Sequence, residues 1–170
     1  MSEEIFDVVN EKDEVIGRKP RAEVHKLGLK HRAVHLLVFN RTGQIFLQKR
    51  SMLKDNFPGV WDSSSSGHLD AGETYDACVI REAREELGLH LPVLPEKLCK
   101  IDACPDTGEE FVWLYQAVSD GPFVLHPEEI ETGDWFGPMD VTKWVENRPE
   151  DFASGFRLVW ATMLQNGWVR

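Results

Sequence analysis

Residues 67–89 read Gly67-His68-Leu69-Asp70-Ala71-Gly72-Glu73-Thr74-Tyr75-Asp76-Ala77-Cys78-Val79-Ile80-Arg81-Glu82-Ala83-Arg84-Glu85-Glu86-Leu87-Gly88-Leu89. A loop carrying two glycines runs into a segment of helical periodicity. From Thr74 to Leu87, the apolar Ala77, Ile80, Ala83 and Leu87 fall on one side, and Glu82, Glu85 and Glu86 fall mostly on another. Thr74 suits a helix N-cap and Gly88 suits the left-handed residue after a helix end. Glu82 lies one turn before Glu85 and Glu86, so all three carboxylates can point to one side. Carboxylates packed this closely repel one another and rise in pKa unless a cation binds. Mg²⁺ prefers hard oxygen ligands and commonly bridges one or two carboxylates to substrate phosphates. Arg81 and Arg84 interleave with the acids, so the helix by itself also reads as a solvated charged face. The loop weighs against that reading. Gly67 and Gly72 permit close approach by a ligand, and Glu73 stands just before the helix.

Working outward, Phe6–Asn10 and Glu14–Gly17 flank Glu11-Lys12-Asp13 and predict an N-terminal hairpin. Ala33–Phe39 and Gln44–Gln48 read as strands joined by a turn at Asn40-Arg41-Thr42-Gly43. Ser51–Pro58 reads as a loop. Further strands are expected at Leu98–Ala103 and Phe111–Val118, with a short one at Thr132–Phe136. Asp140–Glu146 and Ser154–Gln165 read as helices, the latter with Phe156, Val159, Trp160, Met163 and Leu164 as its apolar stripe. Strands interleaved with helices at uneven spacing predict an α/β layered fold with a mixed β-sheet. The 170 residues are expected to form one domain.

Composition narrows the function classes. A hydrophobic content of 42% and a charged content of 28% fit a globular chain, and no apolar run reaches the length of a membrane span. The acidic start Met1-Ser2-Glu3-Glu4 shows no signal peptide. Cys78, Cys99 and Cys104 form no CxxC pair, so a reduced, cytoplasmic chain without a cysteine zinc site is the expectation. A formal net charge of −10 disfavours a grip on long nucleic acid. A small anion remains accessible if a metal or local Arg and Lys neutralise it.

The stretch also matches Gly-x5-Glu-x7-Arg-Glu-U-x-Glu-Glu-x-Gly-U, where U is a bulky apolar residue. Gly67, Glu73, Arg81, Glu82, Glu85, Glu86 and Gly88 fill every fixed position and Leu89 the last apolar one, while Ala83 is smaller than usual. This pattern closely resembles the Nudix box. The resemblance implies an α/β/α sandwich and hydrolysis of a nucleoside diphosphate linked to another moiety, with Mg²⁺ or Mn²⁺ as cofactor. It implies Glu85 and Glu86 as leading metal ligands, Glu82 as a further ligand or general base, and a ligand from the Gly67 backbone carbonyl. Glu73 and Arg81 more often orient the loop and helix. The implied partner is a small diphosphate-containing substrate, with no membrane, and the protein is a monomer or a homodimer.

A second resemblance covers roughly residues 5 to 136. Arg50, Lys54, Pro58-Gly59-Val60-Trp61, Ser66-Gly67-His68 and Lys30-His31-Arg32-Ala33-Val34 look similar to isopentenyl-diphosphate isomerase, which shares the Nudix fold. In that enzyme histidines and a glutamate hold a second metal beside a catalytic cysteine. His31, His68 and Glu110 match three of those positions, and Ser66 takes the place of the cysteine. A serine hydroxyl has a pKa far above the ~8.5 of a thiol, so it is a poor substitute in proton transfer to carbon. With the glutamate set complete, hydrolysis is favoured over isomerisation. Isomerase-like chemistry and a non-catalytic nucleotide sensor remain the alternatives.

Arg50 and Lys54 are candidates for gripping the diphosphate, or plain surface charges. His68 is a candidate for metal or phosphate contact, and His31 for substrate contact. Glu110 reads as a ligand or a strand-start charge. A distal carboxylate is expected within Glu128, Glu129 and Glu131, with the choice left open. Trp61, Trp113 and Trp135 could stack a base, although core packing is the plainer reading. Cys78 reads as a small buried apolar side chain.

Overall fold

The centre of the fold is set by His31–Phe39, whose second half, Leu36–Phe39, is apolar on both faces and suits a strand covered on both sides. The computed structural model describes residues 3–169. Its strands are β1 (Ile5–Val9), β2 (Val15–Pro20), β3 (His31–Phe39), β4 (Ile45–Arg50), β5 (Trp61–Asp62), β6 (Ser65–His68), β7 (Glu96–Ile101), β8 (Glu110–Val118) and β9 (Ile130–Phe136). Its helices are α1 (Arg21–Leu27), α2 (Tyr75–Leu87), α3 (Pro138–Asn147) and α4 (Ser154–Gln165). β1 and β2 form a separate hairpin. The main sheet runs β5-β4-β3-β8-β7, with β6 paired to β3 and β9 paired to β4. β3 and β8 are parallel and the other pairings are antiparallel, so the expected mixed sheet is present.

Side chains alternate across a strand. Val34, Leu36 and Val38 face one layer, where Val79, Ala83 and Leu87 of α2 cover them. Leu37, Ile45, Leu47 and Leu114 face the other, under Phe156, Val159, Trp160 and Met163 of α4. A sheet between two helical layers results, as expected. Each fully buried large apolar side chain contributes roughly 1.5–3 kcal/mol, so the α4 stripe is a principal clamp on that layer.

The helix ends follow the sequence. Thr74 Oγ1 accepts from the Ala77 N–H at 3.1 Å. Gly88 is left-handed at φ 62°, and its N–H donates to the carbonyls of the last turn. α1 and the short strand β6 were not expected, while β5 starts at Trp61, where the sequence reads as a return to extended chain after the Ser51–Pro58 loop. α1 buries only Val24, too little for periodicity to register. Among the described residues no helix is long and apolar enough to cross a membrane.

Candidate active site

Strand register brings the first group of site residues together. His31 of β3 sits beside Glu110 of β8, and Ala33 of β3 sits opposite His68 of β6. Residues paired in register share a face, and so do residues two apart on a strand. His31, Glu110 and His68 therefore emerge side by side. α1 then lays His25 across them. One ring nitrogen from each of His25, His31 and His68 lies within 4.8 Å of the others.

His68 Nε2 meets Glu110 Oε1 at 2.6 Å. His31 is 1% exposed, and its Nδ1 lies 2.8 Å from the Leu29 carbonyl. A carbonyl only accepts, so Nδ1 carries the proton and donates it. Its Nε2 is buried and makes no hydrogen bond among the described residues, with Glu110 Oε1 3.5 Å away. An unpaired ring nitrogen among two further imidazoles and a carboxylate suits a cation-binding position. Burial, with the nearby charges of His68 and His31, pushes His25 down to about 4, which favours the neutral, ligating ring. Burial opposes ionisation of Glu110, but the neighbouring His68 and His31 hold its carboxyl well below the usual range.

The acidic helix forms the second group. Glu86 is buried, and its Oε1 accepts from Ser65 Oγ at 2.7 Å and from the Ser66 N–H at 2.8 Å. Burial outweighs these donors and pushes its carboxyl up to about 7. Glu82 is driven up by burial and by the Glu86 and Glu85 charges. Glu85 is more exposed and reaches Arg81 Nη1 at 3.1 Å. A Cβ added at Gly67 would stand 2.2 Å from the Glu82 carboxylate, so glycine here leaves the space that carboxylate occupies.

Arg81 organises the box. Its Nε and Nη2 donate to the two carboxylate oxygens of Glu73 at 2.7 and 2.9 Å, a bidentate pair. Its Nη1 reaches Glu82 at 2.9 Å, and its Nη2 donates to the His68 carbonyl at 3.1 Å. The loop, the helix and the histidine strand are thereby tied through one guanidinium.

Both groups open onto one cavity of about 580 Å³, which Arg50, Lys54, Ser66, Gly67, His68, Glu82, Glu85, Glu86, Glu110 and Glu129 help to line. Arg50 donates to Asp62 at 3.3 Å and to the Asn56 carbonyl at 2.8 Å. Lys54 is paired with Glu129. Of the three distal acids, Glu129 alone reaches the cavity, and Glu131 faces Lys49 instead. His31 lies behind His25 and His68 rather than on the wall with Arg50 and Lys54. His25 was not singled out from the sequence. Its only signal is a second histidine six positions before His31, which carries no meaning until α1 folds over β3. His35 also reaches the cavity, with Nδ1 2.7 Å from Ser63 Oγ.

The tryptophans are spent on packing. Trp61 meets Phe136 and Trp144 edge-on, and Trp135 meets Phe46. Trp113 lies under Lys97 Nζ at 4.3 Å. Cys78 is buried, and burial with the nearby Glu82 and Glu73 charges pushes its thiol far up, so it is no nucleophile.

Comparison with known proteins agrees with this geometry. Residues 29–155 match the NUDIX domain family. The chain belongs to the Nudix hydrolases. It is 44% identical over 147 residues to Nudix hydrolase 3 of Arabidopsis thaliana, covering 77% of this chain and 18% of that protein. It is 34% identical over 139 residues to a Nudix hydrolase of Deinococcus radiodurans, covering 81% of each. A Deinococcus radiodurans crystal structure superposes with a TM-score of 0.84 at 29% identity, covering 94% of this chain and 98% of that one. The protein is thus a Nudix enzyme, a hydrolase acting on phosphorus-containing anhydrides. The resemblance read from the box alone is borne out at the level of family, fold and enzyme class.

Proposed function

We propose that this Nudix hydrolase cleaves the diphosphate linkage of a nucleoside diphosphate or a derivative of one, with Mg²⁺ or Mn²⁺. The observation that carries this reading is the placement of Glu82, Glu85 and Glu86 at a cavity that Arg50 and Lys54 also line. Glu85 and Glu86, with the Gly67 carbonyl, are the leading ligands for a cation. Glu82 is a further ligand or the general base, and its raised pKa suits a group that takes up a proton. A bound divalent cation would neutralise phosphate oxygens and make an attacking water more acidic. Arg50 and Lys54 hold the anionic diphosphate, and Glu129 keeps Lys54 aimed at the cavity until substrate arrives. A second cation position is proposed at His25, His31, His68 and Glu110, where the orphaned His31 Nε2 fits a metal ligand.

That histidine cluster is also the one observation favouring isomerase-like chemistry. Ser66 on the cavity wall argues against it, since a hydroxyl there cannot do the work of a thiol. The test is turnover with Mg²⁺ and Mn²⁺ across nucleoside diphosphates, nucleoside triphosphates, nucleotide sugars, dinucleotides and isopentenyl diphosphate, with products identified by phosphorus NMR. Hydrolysis is expected for a nucleoside diphosphate or derivative. Conversion of isopentenyl diphosphate without phosphate release would establish the second reading instead. Tight nucleotide binding without turnover would make the chain a sensor.

A further inference from the structure

Phe57 is the only Phe, Tyr or Trp among the described residues that line the cavity. It is 49% exposed, and it takes a left-handed backbone conformation at φ 49°. Bulky L-residues rarely adopt that conformation, and where they do the surrounding structure holds them there. The holding groups are visible. Arg50 Nε donates to the Asn56 and Phe57 carbonyls, both at 3.1 Å, and Arg50 Nη2 donates to Asn56 at 2.8 Å. The Gly59 N–H donates to the Arg50 carbonyl at 3.0 Å, closing the loop. On the far side Arg21 Nη2 reaches Asp55 at 3.2 Å and ties the loop to α1. A strained, braced backbone thus presents an aromatic ring that the protein's own core leaves half-uncovered.

We infer that Phe57 is a specificity-determining residue, the platform on which the nucleobase of a nucleoside diphosphate lies while Arg50 and Lys54 take its phosphates. The inference rests on the diphosphate reading above and deepens it to a substrate class. Arg50 couples the two ends: its backbone and guanidinium fix the loop that carries the ring, and the same side chain lines the cavity. A single aromatic face reads stacking rather than a hydrogen-bond pattern, so it accepts purines and pyrimidines alike. The grip on Arg50 comes from the Asn56 and Phe57 main chain. Changing the Phe57 side chain therefore spares the phosphate end.

That separation gives the experiment. Calorimetric titration with Mg²⁺ compares adenosine 5′-(α,β-methylene)diphosphate with methylenediphosphonate, the same bridged anion without a nucleoside. Phe57→Leu is expected to weaken the nucleoside analogue by about 5- to 50-fold, the effect of losing one stacking partner, and to leave methylenediphosphonate within about twofold. Phe57→Trp restores the nucleoside analogue to at least wild-type affinity, because tryptophan offers a larger face. Equal weakening of both ligands by Phe57→Leu, or weakening of neither, overturns the role of Phe57 while the diphosphate reading stands. Wild-type protein that binds neither ligand overturns both.

Discussion

The carboxylate of Glu82 occupies the space that any side chain at Gly67 would need, with Glu82 Cδ and Oε1 each 2.2 Å from an added Cβ. The blocking atoms belong to the end of a flexible side chain, not to backbone. Gly67→Ala therefore displaces the carboxylate and spares the fold. The expected result is a melting temperature within a few degrees of wild type and a turnover lowered by about 10²-fold or more, since one misplaced catalytic group has costs of that order. A cooperative loss of structure in thermal melts, with activity unchanged in what remains folded, would contradict this.

Glu85 is the most exposed of the three α2 glutamates, with 54% of its side chain open, and among the described residues Arg81 alone holds it. Little of the fold depends on it. Glu85→Gln keeps the shape and removes the charge, so it is expected to lose at least ~10³-fold in turnover, the scale of removing a principal electrostatic stabiliser. Steady-state rates at saturating Mg²⁺ decide the matter. Near-wild-type turnover would remove Glu85 from the ligand set.

Much of this site could be read in the sequence because it lies within one continuous stretch. Thr74 and Gly88 mark the ends of α2, and the turn-spaced acids mark the face that meets the cavity. What escaped was tertiary. His25 rides on a two-turn helix with one buried residue. Ser63-Ser64-Ser65-Ser66 lacks strand propensity, yet Ser65 and Ser66 lie in β6 and Ser63 and Ser64 link β5 to it. The hydroxyls explain it. Ser63 bonds His35, Ser64 Oγ accepts from the Val38 N–H and donates to the Phe46 carbonyl, and Ser65 donates to Glu86. Each is satisfied by a partner more than 15 positions away, a relationship no local pattern contains. Among Glu128, Glu129 and Glu131, Glu129 lines the cavity and pairs with Lys54, 75 positions away, which no local pattern shows.

Glu86 makes stability depend on pH in an unusual direction. Its pKa in the folded chain is about 7, against an ordinary value of 4.5. Between those values the folded state holds a proton that the unfolded state has released. The contribution to stability is therefore fully present below about pH 4.5 and is lost as pH rises through about 7. Without metal, Glu86→Gln removes the buried charge and still accepts from Ser65 and Ser66. Its melting temperature is expected to match wild type at pH 5 and to exceed it by several degrees at pH 8, at about 2–4 °C per kcal/mol for a chain of this size. Added Mg²⁺ should raise wild type and leave the variant unmoved. Melting curves that stay parallel across this pH range would refute the assignment.

The histidine cluster predicts a cation position that does not need the box glutamates. His25, His31 and His68 offer nitrogens and Glu110 an oxygen, a donor set suited to Mn²⁺, Co²⁺ or Zn²⁺ more than to Mg²⁺. Dialysis against Co²⁺ followed by elemental analysis and visible absorption reads this position apart from turnover. Glu85→Gln is expected to retain the histidine-bound ion. His25→Ala should weaken it by about 10-fold or more, because a ligand is lost while His31 remains held by Leu29. His31→Ala also opens space under Phe6, which stacks on it at 5.6 Å, so His25→Ala is the cleaner variant. Cobalt absorption that is identical in wild type and His25→Ala, or abolished by Glu85→Gln alone, would place the ion elsewhere.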